Sequence, residues 1–468
     1  MACQAPTGGC RNVLAASLGM ASPDIDDVFA FNATSTAETI SEGLDLSGLT
    51  YLVTGATGGL GAEVVRVLAL RGARVVLACR SATKGETVAE KIASEILDAT
   101  GTDASQSLVV MGGLELSSSQ KTKQFADDFC ARALPLTGIV CCAGVICEPF
   151  ELTSDGREKH FAVNHLGHFH LIDCLLDEIV RTAASSGAQG RVVLVASGAH
   201  HFTYRVRRGV PRPSRGIDFV NLDEPVGYDS GRAYAQSKLA NILYAAELDE
   251  RLKNAGVNVA AFSADPGTMA GELSHFLNQV PGGRYLFALA DGRVTREVNR
   301  AAATVVWCAA AERKRLQVSQ NLQNSQQVTN YYADCASRKP SLPARDPRLA
   351  KRLWEESERL LGMPIGSAKP AGHVEKFRGM EGEGGGDEDS KNSNSNTNDA
   401  TVQVAPASPV SMYRAGLPRV TIDSGKSNSG KSTELGAFDP DPPVSPPIKV
   451  TPSKSGRWGL GPAKPAND

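Results

Sequence analysis

The sequence has no run of about eighteen apolar residues, so a helix that crosses a bilayer is not expected. Charge of either sign is not in surplus: 49 lysines and arginines stand against 51 aspartates and glutamates, a formal charge of −2. Neither nucleic acid nor an anionic membrane is therefore expected as the main partner. The ten cysteines lack the spacings of a disulfide framework, and several sit in apolar stretches such as Val140-Cys-Cys-Ala143 and Trp307-Cys-Ala309. Free thiols in a reducing compartment follow. Cys141, Cys142 and Cys147 have no second pair at ligand spacing, so buried strand positions explain them better than a metal site. Residues 1–20 lack acids but carry only Arg11 as a base, which leaves an organelle-directing leader and an unstructured one both open.

Composition changes abruptly near residue 365. Before it, apolar runs alternate with helical patterns; after it, Gly, Ser, Asn and Pro dominate. The expected organisation is an extension over 1–45, one core-forming domain over 46–363, and a disordered tail over 364–468. Gly425-Lys-Ser-Asn-Ser-Gly-Lys-Ser432 formally matches a P-loop. A P-loop needs a buried strand before it and a helix after it; Val420-Thr-Ile422 is too short, and 439–447 is proline-rich. Pro443-x-x-Pro446 in this tail suits a proline-binding protein partner.

Within the domain the pattern is regular. A short helix is expected from Ser35 or Thr36 to about Gly43. Thr50–Thr54 reads as a buried parallel strand, followed by Gly55-Ala-Thr-Gly-Gly-Leu-Gly61 and a helix closed by Gly72. The spacing is Gly-x-x-x-Gly-x-Gly, not Gly-x-Gly-x-x-Gly. Strand–turn–helix is nevertheless the context that makes glycines a phosphate site, because the backbone approaches closely and the helix N-terminus offers free N–H groups. Strands follow at 74–79, 107–111, 138–142 and 191–196, with helices at about 83–98, 119–133 and 154–180 between them. Further helices are expected at 231–248, 297–311 and 347–361, and a strand at 328–332. Such alternation predicts an α/β fold, a doubly wound Rossmann-like parallel sheet covered by helices on both faces.

Ligands on such a sheet lie at the carboxyl ends of the strands, where Arg80 and Ser197 fall. No acid stands at Ala78, Cys79, Arg80 or Ser81. An acid would bind the ribose 2′-hydroxyl and repel a phosphate, whereas arginine accommodates the 2′-phosphate, which favours NADP(H) over NAD(H). On the 231–248 helix, Tyr234 and Lys238 are four residues apart and share one face. An ammonium beside a phenol favours the phenolate and suits it to proton transfer.

Taken in order, Thr54-Gly-x-x-x-Gly-x-Gly61, Ala143-Gly144, Asn164, Ser197 and Tyr234-x-x-x-Lys238 resemble the short-chain dehydrogenase/reductase family. Leu77-Ala-Cys-Arg80, Asn164-His-Leu-Gly-His-Phe169, Ser237-Lys-Leu-Ala-Asn-Ile-Leu243 and Arg352-Leu-Trp-Glu355 are similar to its retinol dehydrogenase branch. That branch includes the WW-domain-containing oxidoreductase and plant members at the chloroplast import machinery. The resemblance covers roughly residues 30–362. It implies a catalytic tetrad of Asn164, Ser197, Tyr234 and Lys238, with Asn164 holding a water linked to Lys238. It implies cofactor contacts from Gly55, Thr57, Gly59, Leu60, Gly61, Arg80, Glu115, Leu116, Ala143, Gly144, Tyr234, Lys238, Pro266, Gly267 and Thr268. No metal is implied, since hydride comes from the cofactor. His165, His168 and His170 read as helix packing, not as a zinc set. The family also leaves the cytoplasm and an organelle such as the chloroplast as locations, and a homo-oligomer as an open state.

Three departures stand out. Cys141-Cys-Ala-Gly144 replaces the family's Asn-Asn-Ala-Gly, Gly271 stands where a threonine hydroxyl is usual, and Glu115-Leu116 replaces Asp-Leu. The basic stretch over 203–216 reads first as a solvated loop and second as a site for an acidic group. Residues 272–295 carry apolar side chains fit for a lid over a hydrophobic substrate. The leading expectation is an enzyme acting on CH–OH groups, an NADP(H)-dependent oxidoreductase that interconverts carbonyl and alcohol on a hydrophobic, retinoid-like substrate. Two alternatives are an NADP(H)-binding redox-sensing scaffold and a protochlorophyllide-reductase-like enzyme. The second fits the 231–243 stretch less well.

Overall fold

The structure is a computed structural model that describes residues 31–206, 214–269, 295–311 and 330–369. Eight strands form one sheet: β1 (Thr50–Thr54), β2 (Arg74–Ala78), β3 (Leu108–Met111), β4 (Gly138–Cys141), β5 (Gly190–Val195), β6 (Val259–Asp265), β7 (Tyr331–Ala333) and β8 (Ala336–Ser337). Their spatial order is β8-β7-β6-β5-β4-β1-β2-β3. All neighbours run parallel except β7 and β8. The chain reverses its direction across the sheet between β1 and β4, which opens a crevice at the carboxyl ends of those two strands.

Every residue of β1, β4 and β5 is buried. That burial explains why their sequences are continuous apolar runs, not alternating ones. Side chains alternate between the two faces. Leu52 joins a core with α4 (Ser119–Ala131), α5 (Gly167–Ser186), α6 (Ser230–Ala255) and α8 (Pro347–Leu360). Tyr51 and Val53 point to the other core, shared with α1 (Ala37–Ile40), α2 (Gly59–Leu70), α3 (Ala82–Thr100) and α7 (Val298–Ala310). The result is a three-layer sandwich with a separate apolar core on each side of the sheet.

Local signals set the helix ends. Asp229 caps α6 through Arg232 N, and Gly256 closes it in the left-handed region. In α8, Asp346 caps, Pro347 occupies the first turn, and Leu349, Leu353, Trp354 and Leu360 are buried at helical spacing. Trp354 packs edge-on against Phe169 at 5.1 Å and beneath the Arg251 guanidinium at 4.1 Å, fastening α8 to α5 and α6.

Several boundaries differ from the sequence reading. The helix expected from residue 154 begins at Lys159, because Leu152 and Glu158 first form a β-bridge and Glu158 then caps Phe161 N. Residues 162–166 form a π turn before α5. The described fold also extends beyond 46–363. Ala37 and Ile40 are buried in α1, and Phe31 meets the Trp307 ring at 5.4 Å. Past residue 363, Gly366 N and Ala368 N both donate 2.8 Å hydrogen bonds to the Glu358 carboxylate, with Ala368 fully buried. The remaining residues of the expected extension and tail lie outside the described residues.

Gly167 sets the approach of α5 to the sheet edge, since a Cβ there would sit 2.3 Å from the Leu116 carbonyl oxygen. Gly167→Ala is expected to lower the unfolding free energy by about 1–3 kcal/mol, as overpacking does. Urea denaturation of the two proteins checks it; equal midpoints would refute the contact.

Candidate active site

The turn after β1 is shaped by close backbone approach. Gly55 has φ +64°, and a Cβ on it would lie 2.7 Å from Ala143 Cα. A Cβ on Gly61 would lie 2.3 Å from the Gly55 carbonyl oxygen. Neither position tolerates a side chain. Five helices, α1, α3, α4, α6 and α8, are capped by the side chains of Thr36, Ser81, Ser118, Asp229 and Asp346, whereas α5 and α7 are not. Helix α2 follows Gly58, which offers no side-chain cap, and its first N–H groups are left for an anion.

A cleft of about 410 Å³ opens at this turn. It brings together Gly55, Thr57, Arg80, Glu115, Leu116, Ala143 and Gly144 of the expected set. Gly59, Leu60 and Gly61 form the first turn of α2 beside it. Arg80 is exposed just beyond β2, and Glu115 accepts a 2.8 Å hydrogen bond from Ser117 Oγ. The sequence reading missed Gly58, Leu114, Ser117, Val145, Lys159 and Val163 as lining residues, while Ala78 and Cys79, weighed there only for the absence of an acid, also line it. Gly58 and Leu114 adjoin predicted members, so proximity along the chain was a usable signal. For Lys159 there was none, because only the fold brings it to this edge. Cys142, one of the departures, lies past the end of β4 at intermediate exposure and lines the cleft. Burial pushes its thiol pKa up to about 12, which keeps it protonated and a poor nucleophile.

Beyond Gly144 stand two members of the expected tetrad, Asn164 and Lys238. A Cβ on Gly144 would be 3.1 Å from Asn164 Oδ1 and 3.7 Å from Lys238 Nζ. Asn164 lies in the π turn and is fully buried. Its Oδ1 accepts from Val145 N at 2.8 Å, and its Nδ2 donates to Val145 O at 3.0 Å and Ser237 Oγ at 2.9 Å. The amide thus ties the loop after β4 to α6. Lys238 is 4% exposed and donates from Nζ to Val195 O at 3.0 Å, a carbonyl shared with Asn241 Nδ2 at 3.1 Å. The same Nζ is 5.6 Å from the centre of the Tyr234 ring, and Tyr234 is 7% exposed. Ser197 follows β5 and accepts from Ala199 N at 3.2 Å, opening a short turn over Gly198–Phe202 that packs on α6.

After β6, Gly267 has φ +77°, and a Cβ there would be 2.7 Å from the Arg296 guanidinium. Asp265 holds this bend, accepting from Gly267 N at 2.8 Å and from the Tyr331 hydroxyl at 2.7 Å. Thr268 O accepts from Arg296 N at 2.8 Å. Pro266, Gly267 and Thr268 therefore lie at the carboxyl end of β6, outside the 410 Å³ cleft. Gly271, most of the expected lid and the centre of the basic loop lie outside the described residues.

The three histidines of the 164–170 stretch point to different partners. His165 Nε2 meets Ser357 Oγ at 2.8 Å, His168 Nε2 meets Thr54 Oγ1 at 2.9 Å, and His170 makes no side-chain hydrogen bond among the described residues. Among the described residues no group of three His, Cys, Asp or Glu is arranged to hold a metal ion. Burial lowers the pKa of His165 to about 3 and those of His168 and His200 to about 4. Between the ordinary value of 6.5 and pH 4, the unfolded chain binds protons that the folded chain refuses. Stability is therefore complete above pH 6.5 and declines as pH falls through that window, by on the order of 1–2 kcal/mol per histidine at pH 5. Urea unfolding at pH 7 and pH 5 measures this; identical free energies would contradict it.

A family signature described as short chain dehydrogenase matches residues 50–207. The chain is 34% identical over 332 residues to short-chain dehydrogenase TIC 32 A, chloroplastic, of Brassica napus, covering 71% of this chain and 94% of that one. It is 36% identical over 349 residues to retinol dehydrogenase 11 of Homo sapiens, covering 74% and 95%. Identity to the WW domain-containing oxidoreductase of Homo sapiens is 34% over 338 residues, covering 72% and 74%. The first two relatives are matched almost end to end, and the chain therefore belongs to the short-chain dehydrogenase/reductase family of oxidoreductases, in the branch of these proteins.

Proposed function

We propose that this oxidoreductase interconverts a carbonyl and an alcohol on a hydrophobic, retinoid-like substrate with NADP(H). The observation that carries the reading is that Asn164 Oδ1 and Lys238 Nζ both converge on Gly144, which lines the same cleft as Arg80. The cleft fits a dinucleotide. Its turn has no room for a Cβ at Gly55 or Gly61, and the α2 N-terminus lacks a side-chain cap. The turn residues Gly55, Thr57, Gly59, Leu60 and Gly61 would hold the pyrophosphate, Arg80 the 2′-phosphate, and Glu115 and Leu116 the adenine. Ala143, Gly144 and Pro266–Thr268 would border the nicotinamide half.

Bound there, the cofactor supplies or accepts the hydride. Tyr234 hands its phenolic proton to the substrate oxygen during reduction and takes it back during oxidation. The Lys238 ammonium favours the phenolate form as that proton leaves. Ser197 orients the substrate oxygen and stabilises charge developing on it. Asn164 keeps the Val145 loop and α6 in register, so that cofactor and phenol face one another. The retinol dehydrogenase relative supports a hydrophobic substrate, and the chloroplastic relative together with the acid-free residues 1–20 supports a plastid location. The one catalytic domain is read as spanning at least 46–363, with the tail available to a protein partner.

A panel of retinals, aldehydes and ketones with NADPH tests the reaction. Tyr234→Phe should lower kcat by about 10²–10⁴-fold, the usual worth of a general acid; unchanged turnover would sink the mechanism. Tight NADPH binding with no turnover on any substrate would favour the scaffold reading. Arg80→Asp should weaken NADPH far more than NADH in a fluorescence titration, and equal weakening would refute the cofactor choice.

A further inference from the structure

Two histidines outside the tetrad each touch the backbone of a tetrad residue. His168 and His200 are both fully buried. His200 Nδ1 lies 2.7 Å from the Ser197 carbonyl oxygen, and its Nε2 lies 3.0 Å from Ser341 N. A carbonyl can only accept and a backbone N–H can only donate, so Nδ1 carries the proton and Nε2 is bare. His168 Nδ1 lies 3.1 Å from the Asn164 carbonyl oxygen, and its Nε2 lies 2.9 Å from Thr54 Oγ1. The Nδ1 proton is again dictated by the carbonyl. Thr54 Oγ1 accepts from Ala143 N at 3.1 Å and is free to give its own proton to the bare Nε2.

We infer that His168 and His200 are positioning residues, neutral Nδ1–H tautomers that hold the carbonyls of Asn164 and Ser197 and so set where those side chains stand. The inference rests on the reaction proposed above.

Each ring spans two parts of the site that no backbone ladder joins. His168 runs from the π turn that carries Asn164 to the end of β1 and, through Thr54, to Ala143 at the cofactor turn. His200 runs from the end of β5 to Ser341, in the segment that leads into α8, with its ring edge-on to Tyr331 at 5.3 Å. Tyr331 in turn bonds Asp265 at the head of the bend after β6. A second proton on Nε2 of His200 would face the Ser341 N–H donor, so the contact exists only with a neutral ring. Side-chain donors held by such fixed rings keep their place through the reaction, and small displacements at a reacting centre are costly.

The full chain labelled with ¹⁵N-histidine, studied by long-range ¹H–¹⁵N spectra at pH 7, reads the tautomers directly, with assignment by His168→Asn and His200→Asn. Both rings should show a protonated Nδ1 and a bare Nε2; an Nε2–H or doubly protonated ring overturns the inference. In kinetics, the asparagine variants keep an N–H near the Nδ1 position and should retain kcat near the parent's, while His168→Asn, which gives up the Nε2 contact to Thr54, should weaken NADPH. His200→Leu removes it and should lower kcat by about tenfold or more with the NADPH dissociation constant unchanged. His168→Leu should lower kcat and also weaken NADPH, because Thr54 and Ala143 lose their anchor. Leucine and asparagine variants with the same kcat overturn the inference. A parent chain that turns over no carbonyl defeats the reaction reading alone, since the spectra decide the tautomers without turnover.

Discussion

The Asn164 carboxamide is the contact on which the rest of the site depends. With one acceptor and one NH₂ group it holds both backbone groups of Val145 and the hydroxyl of Ser237. Val145 belongs to the loop that borders the cleft, and Ser237 belongs to the helix that carries Tyr234 and Lys238. A side chain with fewer donors or acceptors could not bridge these elements while itself fully buried, because a buried polar atom without a partner costs about 1–3 kcal/mol. The π turn at 162–166 places this amide where an uninterrupted α-helix would not.

Around that bridge, missing Cβ atoms bring backbones together. Gly55 meets Ala143, Gly61 meets the Gly55 carbonyl, and Gly167 meets the Leu116 carbonyl. Two of these contacts join separate chain segments and one closes the turn on itself, all at the carboxyl edge of the sheet. Each trades conformational entropy of the unfolded chain for a close approach that no other residue allows. Polar side chains then fasten what the glycines bring near: Thr54 to Ala143, Lys238 and Asn241 to the Val195 carbonyl, His168 to Asn164 and His200 to Ser197. The two apolar cores on either face of the sheet supply the rigidity against which these contacts are held.

Most of the architecture was legible because its signals are local. Thr50–Thr54 with the glycines that follow, and the Ala- and Leu-rich helix around Tyr234, carry periodicity and punctuation within a dozen residues. The strand and helix pattern led directly to the doubly wound sheet. The start of the helix at Lys159 was misjudged because Glu158 caps it only after a bridge to Leu152, a pairing with no sequence signature. The packing of residues outside 46–363 had no local signal for a related reason. Ala37, Ile40 and Ala368 are ordinary residues whose burial depends on partners far along the chain.

For the site, the sequence by itself determined which groups are present: four candidate catalytic side chains, a glycine turn and an arginine after β2. Their types suit chemistry that needs a donor, an ammonium and a cradle for phosphate, and their order is what the family resemblance supplied. Only the tertiary structure decided how they are held. That Lys238 binds the Val195 carbonyl, that Lys159 reaches the cleft, and that His168 and His200 carry their protons on Nδ1 all depend on atoms 43 to 141 residues apart, or on which backbone group faces a ring. Residue type states what a side chain can donate or accept; the fold alone states what stands 3 Å away from it.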